Sequence, residues 1–323
     1  MRAYVISEPG GPDKLELKEV AKPTSRSGWV LIRNRAFGLN RSEWFTRRGD
    51  SPTVSFPRVL GIECVGEVID APDGDLDPGQ TVAAMMGGMG RQFDGSYAEF
   101  VLVPRANVFP LQTELDWKVL GALPEMLQTV HGSLYIGLEI ERAQSLLVRG
   151  ATSSIGFATM ALARLAGLEI TATTRSESKS DELIAAGATH VIVDNGFVSE
   201  SIRSIYPDGI DRVLELIGTT TLLDSLKAAK RGGIVCMTGI LGGKWTLSDF
   251  HPMGDIPTGV KLTSYSGEAS DISTEQLQRY VSLVESGELS LKTGPIFEFD
   301  RLREAHELMD SNRANGKIVI EHS

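Results

Sequence analysis

The chain has 323 residues, 41% of them hydrophobic and 23% charged, which is the balance of an ordinary folded protein with enough length for two domains, each burying its own core. A formal net charge of -10 removes any general attraction to phosphate backbones or anionic membrane surfaces, so neither nucleic acid nor membrane is an expected partner. The opening run MRAYVISEPGG does not fit the apolar core of a secretory signal, and no segment approaches the roughly 20 apolar residues of a membrane helix, so a cytoplasmic address is expected.

The first third alternates short strand-like runs with Gly and Pro punctuation: WVLIRNRAFGLN, GEVIDAPDGDLDPGQTVAAM and GSYAEFVLVP. This predicts a mostly β, antiparallel domain over residues 1–122. MMGGMG, from Met85 to Gly90, reads as a short flexible loop. Cys64 and Cys236 both lie in apolar strand-like runs with no CxxC or His/Cys cluster, so buried, reduced thiols are expected. Glu63, flanked by Ile62 and Cys64, should face a partly buried side and need a cation there, with an arginine the expected partner.

Near Ala122 the texture changes. From Ser145 onward, strands apolar on both faces alternate with helical patterns: SLLVRG, EITATTR, HVIVD, DRVLELIG and GGIVCMTGI, with KSDELIAAG and TLLDSLKAAK among the helices. Such strands belong in a parallel sheet covered on both sides, so residues 123–266 are expected to form a doubly wound α/β domain. Residues 267–323 return to mixed helix and strand pieces.

The sharpest chemical signal is LLVRGATSSIGFATMALARLAG, where a buried strand enters a turn of small residues and a helix opens behind it. Gly150, Ala151, Thr152, Ser153, Ser154, Ile155 and Gly156 would bring backbone N–H groups and a helix N-terminus to a pyrophosphate. Against GxGxxG, the run Ala151, Ser153, Gly156 keeps only the last glycine, so an ordinary tight strand-to-helix turn is the alternative. At the end of the second strand, where an NAD site would usually show an acidic residue, the chain reads TTRSESKS. Thr174, Arg175, Ser176 and Lys179 offer hydroxyls, a planar donor fork and a point charge to a 2′-phosphate, which favours NADPH over NADH. Gly239, Ile240 and Leu241, after the strand of CMTGI, lie at the carboxyl edge where such sheets bind ligands.

These stretches, with GLNRSEWFTRRG, PRVLGIECVGEV, LPEMLQTVHGSL, LKAAKRGGIVCMTGI and the closing NGKIVI, occur in the order found in one family. Over nearly its whole length the chain resembles a medium-chain dehydrogenase/reductase of the zinc-free quinone oxidoreductase (zeta-crystallin-like) branch. The resemblance implies a GroES-like domain over 1–122, completed by 267–323, a Rossmann NADP-binding domain over 123–266, a substrate and cofactor cleft separating them, and a homodimer. It also implies a loss of metal. In zinc-dependent relatives a cysteine stands where this chain has Asn40 and a histidine where it has Ile62, and a third ligand aligns near Met126 or Leu127. The cysteine-rich lobe that carries structural zinc has no counterpart between Gly87 and Tyr97. No metal is therefore expected, since a catalytic zinc site needs about three protein ligands.

By position, Asn40 resembles a family asparagine close to the nicotinamide and substrate, though a turn residue after Gly38 is the alternative. Thr129 matches a positioning threonine near the nicotinamide, with a helix-start hydroxyl as its alternative. His131 falls where many relatives carry an aromatic residue and is a candidate for the site; a histidine on a helix is more often structural. Trp44 and Phe45 stand where some relatives place a tyrosine that bonds the substrate carbonyl, so water is the expected proton source. The implied activity is NADPH-dependent hydride transfer to a quinone or an α,β-unsaturated carbonyl. The alternative is an NADPH-binding redox sensor or structural protein without turnover.

Overall fold

Two units make up the computed structural model, which describes residues 1–322: Met1–Gln128 together with Glu268 to the end of the described chain, and Thr129–Gly267.

The first unit contains β1 (Arg2–Ile6), β2 (Leu15–Glu19), β3 (Trp29–Gly38), α1 (Arg41–Arg48), β4 (Arg58–Val59), β5 (Glu63–Asp70), β6 (Thr81–Met85), β7 (Phe100–Pro104), β8 (Val108–Pro110), α2 (Trp117–Leu120) and the start of α3 (Pro124–His131). The ten-residue β3 is buried over most of its length and has backbone partners along both edges. It pairs antiparallel with β5 and β7, and β5 continues through β6 to β8. A smaller sheet runs β2-β1-β4. Ile6, Leu15, Ile32, Phe37, Leu60 and Tyr97 fill the core, all fully buried. The run MMGGMG is anchored at both ends of its methionine content, because Met85 and Met89 are buried in this core. Cys64 is free and buried, as is Cys236 in the second unit.

In the second unit follow β9 (Ser145–Arg149), α4 (Ser154–Leu165), β10 (Glu169–Thr174), α5 (Ser180–Ala185), β11 (His190–Val193), α6 (Ser199–Ile205), β12 (Ile210–Glu215), α7 (Leu222–Ala228), β13 (Ala229–Met237), α8 (Pro252–Asp255) and β14 (Lys261–Ser264). The strands are all parallel and ordered β11-β10-β9-β12-β13-β14, the 3-2-1-4-5-6 order of a Rossmann sheet. Every residue of β9 and β12 is buried, the charged Arg149, Asp211, Arg212 and Glu215 included, as expected of central strands covered on both faces. The order reverses between β9 and β12, and it is at the carboxyl ends beside such a switch point that open α/β sheets generally bind ligands.

The chain then returns to the first unit with α9 (Thr274–Glu285), β15 (Thr293–Glu298), α10 (Leu302–Asp310) and β16 (Lys317–Glu321). Strand β16 pairs antiparallel with β3, and Leu39 N–H donates to the carbonyl of Ile318 at 3.0 Å. That pairing delivers Lys317 to Asn40. Among the described residues, no helix is long and apolar enough to cross a membrane.

Candidate active site

The candidate phosphate turn is built by short-range bonds. Gly150 adopts a left-handed conformation (φ +90°), and the Ser153 hydroxyl donates to its carbonyl at 2.9 Å while accepting from Gly156 N–H at 3.1 Å. Ser153 thereby caps α4. A Cβ on Gly156 would stand 2.5 Å from the Ala151 carbonyl oxygen, so only glycine lets the helix start this close to the turn. The first-turn N–H groups of α4, from Ser154 and Ile155, have no intrahelical acceptor, and the helix dipole adds positive potential at the same place. With Thr152, these residues form a cradle of donors that suits a pyrophosphate. Gly150 N–H donates to the Thr173 hydroxyl at 3.1 Å and Ala151 N–H to the Thr173 carbonyl at 3.3 Å, which locks the turn to the end of β10.

The loop after β10 divides its candidates. Thr174 is buried, and its hydroxyl closes on the backbone of Ser176. Ser176 and Ser178 share a hydroxyl contact of 2.8 Å, and the Lys179 ammonium is 3.0 Å from Glu182. Arg175 is exposed and forms no ion pair among the described residues, so its fork is the donor available for an anion.

Across the switch point, Gly239 lies so close to Leu216 that a Cβ would meet its carbonyl oxygen at 2.4 Å. Leu241 N–H donates to that carbonyl at 3.0 Å, and the Leu241 side chain reaches the space beside Gly150. Gly150 and the stretch Gly239, Ile240, Leu241 are thus brought together. Thr129 lies well inside α3, not at its start, and its carbonyl accepts from the Ser133 hydroxyl at 2.7 Å. Ser133 in turn is 2.9 Å from the hydroxyl of Thr238, so a two-hydroxyl link ties the Thr129 turn to the end of β13. Here α3 passes into a π-helical segment, Gly132–Gly137, a geometry that recurs at functional sites. His131, at the end of α3, places its ring 4.7 Å from that of Tyr135.

Asn40 belongs to the first unit and to a different structure. It caps α1: its backbone N–H donates to Glu43 at 3.1 Å, and its side-chain amide donates to Glu63 at 3.0 Å and Glu43 at 3.3 Å. Its amide oxygen accepts from Lys317. The Lys317 ammonium also lies 2.8 Å from Glu63 and 3.0 Å from Glu125, and Glu125 N–H donates to the second Glu63 oxygen at 2.8 Å. Gly38 makes room for this meeting, because a Cβ there would stand 2.3 Å from Lys317 Cε and 2.5 Å from Glu63 Oε1. The cation facing Glu63 is therefore a lysine, not the arginine expected from the sequence: β16 arrives beside β3 with Lys317 as its first residue.

Burial opposes the charge on Lys317, but Glu125 and Glu63 outweigh it and hold the ammonium above its ordinary value. Glu43 forms no ion pair among the described residues. Burial pushes its carboxyl up to about 8, against the N–H donors of Asn40 and Ile62. One ammonium thus sits among three carboxyl groups; burial raises Glu63 as it does Glu43, with Lys317 opposing the rise at Glu63.

Known families match both parts of the chain. The family described as alcohol dehydrogenase GroES-like domain matches residues 26–113, and that described as zinc-binding dehydrogenase matches 186–320. The quinone oxidoreductase of Rattus norvegicus is 28% identical over 335 residues, covering 99% of this chain and 97% of that protein. The chain belongs to the medium-chain dehydrogenase/reductase superfamily, in its quinone oxidoreductase branch. It is accordingly an oxidoreductase. Another member of similar sequence is the acryloyl-coenzyme A reductase of Metallosphaera sedula, 26% identical over 265 residues, covering 74% of this chain and 76% of that protein. The fold matches that of Escherichia coli quinone oxidoreductase, a structure complexed with NADPH, with a TM-score of 0.88 at 20% identity, covering 99% and 100% of the two chains.

For this medium-chain reductase, sequence reasoning missed Lys317, Glu125, Glu43 and the Ser133–Thr238 link. The signal for Lys317 was present in NGKIVI, but its partners lie 277 and 192 residues away.

Proposed function

We propose that the chain is a zinc-independent, NADPH-dependent reductase of quinones or α,β-unsaturated carbonyls. The observation that carries this is the Lys317 ammonium, buried against Glu63, Glu125 and Asn40. Asn40 and Ile62 stand where the zinc-dependent relatives were expected to carry ligands. With the Asn40 amide committed on both its oxygen and its nitrogen, and a cation already neutralising the nearby carboxylates, this cluster is a poor host for a second cation. A neutral alcohol would then find no Lewis acid to lower its pKa, which favours an acceptor that is already electrophilic. NADPH, when bound, supplies the hydride.

The chain's own residues bind and orient. The Gly150–Gly156 turn and the first turn of α4 hold the pyrophosphate, and Arg175 with Ser176 receives the 2′-phosphate. Gly239, Ile240 and Leu241 carry the strand end toward the nicotinamide, and Thr129 is held for the same end by Ser133 and Thr238. The proton that completes reduction comes from water. The relatives named quinone oxidoreductase and acryloyl-coenzyme A reductase support this pair of acceptor classes.

The test is NADPH oxidation against a panel of 1,2-quinones, 1,4-quinones and enones, with and without chelator, together with elemental analysis. Turnover that ignores the chelator is expected. Tight NADPH binding with no oxidation across the panel would assign a sensor or structural protein instead, and stoichiometric zinc with alcohol oxidation would overturn the metal-free reading.

A further inference from the structure

Arg149, the last residue of β9, carries a fully buried guanidinium directly before the phosphate turn. Its Nε and Nη2 donate to the two oxygens of Asp194 at 2.8 and 3.0 Å. Its Nη1 donates to Asp224 at 2.9 Å, to the Thr221 carbonyl at 3.0 Å and to the Ser225 hydroxyl at 3.0 Å. Both carboxylates are themselves more than nine-tenths buried. A pair of this kind is costly to desolvate and is weak evidence for stability, so its placement calls for another account.

The placement is across a strand. In the order β11-β10-β9, the bidentate pair runs from the end of β9 to the residue after β11, over the end of β10. What lies between is Thr174, whose carbonyl accepts from Asp194 N–H at 2.7 Å, followed by Arg175. On the near side, Gly150 and Ala151 hold Thr173. Phosphate turn, Thr173–Thr174 and Asp194 therefore form a closed ring of contacts, with the Arg149–Asp194 pair as its closing bond. Asp224, the other carboxylate, is fixed by Val198 N–H and Ser199, so the guanidinium is anchored from both directions.

We propose that Arg149 is a positioning residue for cofactor choice: by clamping Asp194 across β10 it sets the distance between the phosphate turn and the Arg175 loop, and thereby the preference for a 2′-phosphate. This rests on the NADPH reading above. A cofactor bearing that phosphate engages both places at once and gains from their fixed spacing, whereas NADH gains from the turn alone. The Arg149 guanidinium is fully buried and all its nitrogens donate to protein oxygens, so it acts through Asp194.

The experiment measures dissociation constants for NADPH and NADH by fluorescence in the wild-type chain and in Arg149→Lys, Asp194→Asn, Asp194→Glu and Arg175→Ala. Lysine cannot reproduce the fork, and asparagine keeps the shape of Asp194 without its charge. In both variants the preference for NADPH should fall by roughly tenfold, with NADH affinity changing by less than about threefold. Asp194→Glu, which keeps the carboxylate, should retain more of the preference than Asp194→Asn. Asp194→Asn, milder than a change in the buried arginine, supplies the answer if Arg149→Lys does not fold. If NADPH and NADH lose affinity equally, or the preference survives in Asp194→Asn while Arg175→Ala abolishes it, the clamp is structural only and the proposal fails alone. If the wild-type chain shows no preference and Arg175→Ala changes nothing, the NADPH reading itself fails.

Discussion

The ammonium of Lys317 stands 2.8 Å from Oε1 of Glu63, with 2% and 0% of the two side chains exposed. A charge pair this deep is held by being complete: Asn40, Glu125 and Gly38 all arrange for the lysine to be there. Replacing it by methionine leaves the Glu63 and Glu125 carboxylates facing each other without a cation. Lys317→Met should lower unfolding free energy by roughly 3–5 kcal/mol in urea titrations, and adding Glu63→Gln to it should recover part of that loss. A loss below about 1 kcal/mol, the range of exposed pairs, would show that the network does not anchor β16 to β3.

Glu43 gives the same region a pH dependence of defined sign. Burial raises its carboxyl from the ordinary 4.5 to about 8. Between those values the folded chain holds a proton that the unfolded chain has released, so this group's contribution is complete below pH 4.5 and is lost as pH rises through 8. Glu43→Gln should cost stability at pH 5, because an amide nitrogen replaces one of the oxygens that accept from Asn40 and Ile62. By pH 8.5 that disadvantage should shrink or reverse. Parallel melting curves for the two proteins from pH 5 to 8.5 would sink this account.

How far the sequence alone carries depends on the range of the interactions. The strand-to-helix turn after β9 was legible because Gly150, Ser153 and Gly156 bond to one another within seven residues. The parallel sheet was legible because the buried centres of β9 and β13 show the apolar runs Leu146–Val148 and Ile234–Cys236. Lys317 was not, since a lone lysine in NGKIVI looks like a surface residue until β16 pairs with β3. Arg149 was hidden for the same reason, with its carboxylates beyond β11 and at α7. The π-helical segment was also invisible: TVHGSLYIG continues the pattern of α3, and Tyr265, whose ring a Cβ on Gly132 would meet at under 2 Å, lies far along the chain. The contacts of the Asn40 amide with Lys317, Glu63 and Glu43 were likewise hidden, because Glu63 and Lys317 lie 23 and 277 residues away.

Arg175 is the exposed cation at the end of β10, and Lys179 beside it is engaged with Glu182. Hydrogen bonds to a charged group contribute about 1.5–3 kcal/mol each. Arg175→Ala should therefore weaken NADPH by about 10- to 150-fold and leave NADH within a few-fold, as read from the Michaelis constants for each. Lys179→Ala should have a much smaller effect. An unchanged Michaelis constant for NADPH in Arg175→Ala would mean that the 2′-phosphate goes elsewhere.

Gly156 separates backbone geometry from helix propensity. On an open helix, glycine to alanine stabilises by up to about 1 kcal/mol. Here the added Cβ would stand 2.5 Å from the Ala151 carbonyl oxygen and 2.6 Å from its Cα, so either the helix start or the turn must shift. Forcing atoms into a filled space costs roughly 1–3 kcal/mol, more than the propensity gain. The movement falls on the donors of Thr152, Ser154 and Ile155, which carry no side-chain charge to compensate for a lost contact. Gly156→Ala should thus lose both stability and affinity, weakening NADPH and NADH alike by at least about tenfold, the reverse of the selective loss expected for Arg175→Ala. Should Gly156→Ala bind both cofactors as tightly as the wild-type chain, the phosphate cradle would have to be sought away from this turn.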